Sequence, residues 1–199
     1  GPAVRPGEGV LALLVRALRS RAGAALVASH FAVTALLATT PAPSPQAVSE
    51  YKVKAAFLFN FARFVEWPER DDDRDSVTIG VVGLDPFGES LDQVVRGKTV
   101  GTKRIAIRRF AGIEELEPCN IVFISQSESS RLDEILKALE GTATLTVGDD
   151  DEFALRGGII RFFTQESKIR FEINLDAAEY EGLRLSSRLL QVARTPVDR

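Results

Sequence analysis

Histidine is almost missing from this chain, and several other reactive or anchoring features are as scarce. Its 199 residues include one His, one Cys, one Trp and no Met. The lone His30 falls in an N-terminal segment with the layout of a secretory leader, so the domain that follows carries no imidazole. That removes the usual general base of serine and cysteine nucleophile systems and the commonest transition-metal ligand. A hydrolase or a zinc enzyme is therefore excluded as a first reading, and no cofactor-binding or metal-ligating set is visible. One cysteine cannot close a disulfide within the chain. Cys119 precedes a buried-strand pattern and reads as an inert buried thiol, with an intermolecular bridge as the alternative. Basic charge is also short. Four of the 25 basic and one of the 28 acidic residues lie before Val48, which leaves 21 against 27, a net charge of −6. Nucleic-acid affinity comes chiefly from neutralising phosphates, so a domain of this charge is not expected to bind nucleic acid.

What is present first is the leader. Arg16, Arg19 and Arg21 precede the apolar run Ala22 to Ala38, and a small-residue, proline-rich stretch follows from Thr39 to Ala47. This order of basic, apolar and small-residue regions predicts a signal peptide cut between Ala38 and Ala47. The alternative is an uncleaved anchor, although Ser29 and His30 interrupt the run. No lipobox-type cysteine is present. The expected organisation is a leader over residues 1–47, one α/β domain over 48–195 and a short tail over 196–199, exported and not membrane-spanning after cleavage.

The domain opens with "EYKVKAAFLFNFARFVEWP", Glu50 to Pro68. On a helical wheel Lys52, Asn60, Arg63 and Glu66 share one side, and an apolar arc of roughly 200° holds Val53, Phe57, Leu58, Phe61, Ala62, Phe64 and Val65. Only eight residues without a full charge separate Lys54 from Arg63, far short of the ~20 of a bilayer span. The segment is thus an amphipathic helix laid on a sheet and stopped by Pro68. Phe59 and Trp67 flank the polar stripe. Aromatic and Arg side chains together have the composition of interface anchors, so Phe59, Arg63, Glu66 and Trp67 form the candidate partner-binding set.

Further along, "VTIGVVG" (Val77 to Gly83) and "NIVFIS" (Asn120 to Ser125) are continuous apolar runs of the kind found in strands buried on both faces. "DPFGESLDQVVRG" is a short helix with Asp85 as its cap, and "ESSRLDEILKALEG" an amphipathic one. "RIAIRRF" and "ATLTVGD" are strands, and Gly157 to Leu175 is an antiparallel hairpin turning at Gln165 to Ser167. The fold class that results is α/β, a single domain with a mixed, partly parallel β-sheet flanked by helices. "GDDDEF" (Gly148 to Phe153) lacks the alternating ligand spacing of a calcium loop and reads as a solvated turn. "GVVGLDPFG" fits neither common phosphate-loop pattern. In "GLRLSSRLLQ", Ser186 or Ser187 is placed to cap the last helix beside Arg184, making Arg184, Ser186 and Ser187 a candidate anion-binding set with Glu179 and Glu181 as the nearby countercharges.

These segments in this order, from about Ser49 to Arg194, closely resemble the YfiR family of small exported proteins. The resemblance implies a non-enzymatic periplasmic regulator that represses an inner-membrane diguanylate cyclase by binding its periplasmic sensor domain, so lowering cyclic-di-GMP signalling and biofilm formation, with a homodimer as the working unit. The alternative class is a periplasmic small-ligand binding sensor module. Better-studied relatives carry paired cysteines that bridge, whereas this chain has Cys119 alone, so a redox-sensing role through an internal disulfide is not carried over to it.

Overall fold

The computed structural model describes residues 45–68 and 75–193. The expectations for the signal segment before residue 45, for the part of the Ala38–Ala47 cleavage window that precedes it and for the 196–199 tail lie outside the described residues.

Helix α1 (Pro45–Phe64) begins at a proline, the residue best suited to the first helical position. It stops four residues short of Pro68, because Val65–Glu66 become extended as β1 and because a residue preceding proline disfavours helix. Then follow β2 (Ser76–Val82), α2 (Glu89–Val95), β3 (Thr99–Val100), β4 (Lys103–Phe110), β5 (Ile121–Ile124), α3 (Leu132–Leu139) and β6 (Leu145–Gly148). The hairpin β7 (Ile160–Gln165) and β8 (Lys168–Ile173), then α4 (Leu175–Tyr180), β9 (Arg184–Leu185) and α5 (Ser187–Val192) complete the domain. The main sheet has seven strands in the order β3-β4-β2-β5-β6-β7-β8. Its five inner strands are parallel, and the edge strands β3 and β8 run antiparallel to their neighbours. The expected mixed α/β sheet is therefore present.

The continuous apolar runs are explained by alternation between two cores. In β5, Ile121 and Phe123 join the core under α1 and α2, while Val122 and Ile124 join the core under α3. The first core is aromatic: Phe61 stacks on Phe162 at 5.8 Å and meets Phe171 edge-on at 5.1 Å. Each fully buried ring of this kind contributes about 1.5–3 kcal/mol. Glycine is needed where the second core presses on the sheet. A Cβ on Gly80 would lie 3.0 Å from the Phe110 ring and 3.1 Å from Cys119 Sγ. Cys119 is fully buried, as the sequence suggested.

Two local expectations change. Helix α2 starts at Glu89, not at Asp85, because Asp85 Oδ1 accepts the Phe87 N–H at 2.7 Å in a tight turn and Oδ2 accepts from Arg109 Nε at 2.7 Å. The acidic run after β6 is not merely a solvated turn. Phe153 is buried between Gly148 and Gly158, where added Cβ atoms would sit 2.4 Å and 2.1 Å from its ring. Asp149 is buried with it.

Candidate interaction surface

Every third or fourth residue of α1 faces the sheet, so Ala55, Leu58, Phe61 and Ala62 are buried while Lys52, Ala56 and Arg63 stand in solvent. The inner face ends in an ionic cluster. Lys54 is 3% exposed, and its Nζ lies 2.6 Å from Asp149 Oδ2, 2.6 Å from Glu50 Oε1 and 4.4 Å from the centre of the Tyr51 ring. Tyr51 donates its hydroxyl to the same Asp149 Oδ2 at 2.8 Å. Burial, then the neighbouring Asp149 charge, pushes the Tyr51 phenol well above its ordinary range. Asp149 Oδ1 meets no hydrogen-bond donor among the described residues. The cluster locks the helix to the carboxyl end of β6, and a lone run of aspartates gave no sign of it.

The outer flank carries the first candidate set. Phe59 is half-buried, outside the main core, with the Lys98 ammonium 4.4 Å and the Arg63 guanidinium 5.7 Å from its ring centre. Arg63 lies equally close to Phe64, at 5.6 Å. Two cations on one aromatic ring hold a flat, amphipathic patch in place without burying it. Glu66 is exposed in β1. Trp67 behaves differently: it is half-buried against the core and donates Nε1–H to the Asn120 carbonyl at 3.1 Å, so it tethers the chain leaving α1 to the start of β5.

Strand β9 brings the second candidate set to the same place. It pairs antiparallel with β1, setting Val65 opposite Leu185 and Glu66 opposite Arg184. The Ser186 N–H extends this ribbon to the Phe64 carbonyl at 2.9 Å. Ser186 Oγ caps α5 by accepting from Leu189 N–H at 3.3 Å, and Ser187 is exposed at the first helical position. Arg184 is exposed, and no carboxylate among the described residues lies within ion-pair distance of it. Glu181 is turned away, accepting the backbone N–H groups of Gly141 and Ala143 at 2.8 Å each. The two sets read separately in the sequence thus meet at the β1–β9 ribbon, through Glu66 of the first and Arg184 of the second.

One part of this region had no signal of its own in the sequence. A groove of about 410 Å³ lies between α1, the edge strand β8 and α5, lined by Phe57, Asn60, Phe64, Ile169, Leu189 and Val192 among others. The roughly 200° apolar arc of α1 was the available clue, because a helix on a sheet buries a narrower stripe. Val53, on the groove side of that arc, is 43% exposed.

Among the described residues no cluster of potential metal ligands occurs, and no helix is long and apolar enough to cross a membrane. Compared with known proteins, residues 51–194 match the family described as YfiR/HmsC-like. No curated protein matches the chain. A solved structure of a conserved domain protein from Vibrio cholerae is 15% identical, with a TM-score of 0.48, over 76% of this chain and 60% of that one. The chain therefore spans less than two thirds of that protein's length.

Proposed function

We propose, from the premise that the chain belongs to the YfiR/HmsC-like family, that it represses an inner-membrane diguanylate cyclase by binding the cyclase's periplasmic sensor domain. Family membership supports a periplasmic regulator in general. The finer reading adds the partner, the homodimer and the lowering of cyclic-di-GMP. The observation that carries it is the outward flank of α1, where Phe59 is held between Lys98 and Arg63, with the exposed Glu66 and Arg184 paired in the ribbon that follows the helix. Rigid aromatic and arginine side chains on one open surface are suited to engaging a protein. Deleting the gene should raise cellular cyclic-di-GMP, and restoring it should return the level to that of the parent. An unchanged level in cells that normally make the protein would remove this reading.

A second reading, a small-ligand sensor module, has one observation in its favour. A pocket of about 490 Å³ opens between α3, β6 and α4, lined by Leu136, Ile159 and Lys137 together with Arg156 paired to Asp133 and Tyr180 bonded to Glu140. Calorimetric titration of the protein with small anions and amino acids, in wild type and in Arg184→Ala and Lys137→Ala variants, separates a ligand at either place from none.

A further inference from the structure

Lys98 carried no signal in the sequence, yet it reaches the same ring as Arg63. It follows Gly97, whose φ of 70° lets the chain turn back after α2, and its N–H donates to the Val95 carbonyl at 2.9 Å. From that turn its ammonium lies 4.4 Å from the centre of the Phe59 ring, and the Arg63 guanidinium lies 5.7 Å from the same centre. The two positive groups are therefore within about 10 Å of each other, no more than one Debye length at 0.1 M salt, so solvent ions screen their repulsion only in part. Elsewhere the domain answers such charge itself: Arg109 bridges Asp85 and Asp92, and Lys54 bridges Asp149 and Glu50. Arg63 and Lys98 have no carboxylate within ion-pair distance among the described residues. Glu66, the exposed acid that follows α1, stands opposite Arg184 across the ribbon. What the patch lacks is an anion.

Three occupants can be compared by charge and number. A second copy docked through this patch by two-fold symmetry would set Arg63 and Lys98 against themselves, because such a contact uses the same patch on both subunits. An anionic membrane gains about 1 kcal/mol from each basic residue near it and is held by clusters of roughly four to eight, so two cations do not suffice. An acidic protein segment needs only one or two carboxylates here. They gain charge-assisted hydrogen bonds from Arg63 and Lys98, and the Phe59 ring gives a neighbouring apolar side chain a floor.

We infer that Arg63 and Lys98, set on the Phe59 ring, are a carboxylate-binding pair for an acidic segment of the protein's regulatory partner. The inference rests on the reading of this flank as the regulatory surface, and it adds the chemistry of what docks there and a role for Lys98.

The test uses two fluorescein-labelled peptides of equal length with one central Phe, flanked on both sides by glutamates in the first and by glutamines in the second. In fluorescence anisotropy the purified protein should bind the glutamate peptide roughly tenfold more tightly or better, a comparison that needs no variant. Arg63→Glu with Lys98→Glu should abolish the preference. Lys168→Glu with Arg170→Glu makes the same change of charge at exposed positions of β8 and should leave the preference in place, which separates the pair from the charge of the domain as a whole. Arg63 and Lys98 are exposed, and an unchanged thermal midpoint verifies that each variant is folded. Equal binding of both peptides overturns the inference, and so does a preference that survives the substitutions at Arg63 and Lys98. Binding that appears only after Asp71, Asp72 and Asp73 are replaced by Asn also overturns it, because the pair then belongs to the chain's own acidic stretch. In cells, the variant with Glu at positions 63 and 98 should fail to lower cyclic-di-GMP in a deletion strain. If it represses normally, the inference falls and the regulatory reading stands. If deletion itself leaves cyclic-di-GMP unchanged, the regulatory reading falls and the peptide measurements alone decide the pair.

Discussion

Lys52 and Lys54 are two residues apart on α1 and meet opposite surroundings. Lys52 stands in solvent, whereas Lys54 is enclosed by Asp149, Glu50 and the ring of Tyr51. Phe59 and Phe61 repeat the contrast: Phe61 is fully buried among Phe57, Phe162 and Phe171, while Phe59 has cations on its ring and no place in the core. In a helix a step of two residues turns by roughly 200°, so the same residue types pack into the core on one side and meet solvent or surface cations on the other. Composition alone does not separate the two roles; angular position does.

The strongest way to break this comparison is at Lys54. Lys54→Ala leaves Asp149 buried without its cation, and removing one partner of a buried pair costs about 3–5 kcal/mol. Urea denaturation should report a loss of that order, and a loss below ~1 kcal/mol would show that the cluster is solvated in solution. The two phenylalanines sharpen the contrast further. Phe61→Ala should cost about 3–5 kcal/mol of stability, as large-to-small changes at buried aromatics do. Phe59→Ala should leave the unfolding midpoint nearly unmoved and weaken partner binding by ~2 kcal/mol. Comparable destabilisation by both substitutions would place Phe59 in the core and withdraw it from the surface. The smallest effect is a pH dependence. Tyr51 keeps its proton in the folded protein at pH values where the unfolded chain gives it up, so its contribution is full below about pH 10 and declines as pH rises beyond that. The denaturation midpoint should therefore fall between pH 9 and 11 more steeply in the wild type than in Tyr51→Phe.

How much of this could be read in advance depended on whether a feature repeats along the chain. The strands β2 and β5, the hairpin and the amphipathic α3 have periods or turn residues that announce them, and they occur where the sequence places them. Ser186 as a helix cap was equally visible, because capping is decided within three residues. Strands β1 and β9 are two residues each, too short to have a period, and only their pairing with each other defines them. The Lys54–Asp149 pair joins positions 95 apart in sequence, and its aspartate is one of three in a row, so nothing local distinguishes the buried member from its less buried neighbours. Part of the candidate surface was therefore legible as residues but not as a place: Arg63 and Arg184 were both singled out, and only the β1–β9 ribbon brings Glu66 next to Arg184.

That ribbon also orders events in time. Its two strands stand about 120 positions apart, and contacts of such long span raise contact order and slow folding. Until β9 has been delivered, the outer end of α1 has no partner for Val65 and Glu66 and the Phe64 carbonyl lacks the Ser186 N–H. A chain emerging from its amino end can lay down α1 and most of the sheet, yet the outer end of α1 is finished only when the last turns arrive. Closure of the ribbon is thus a late event in the folding of the molecule, and a copy clipped before β9 leaves Val65, Glu66 and the Phe64 carbonyl without the partners they have here.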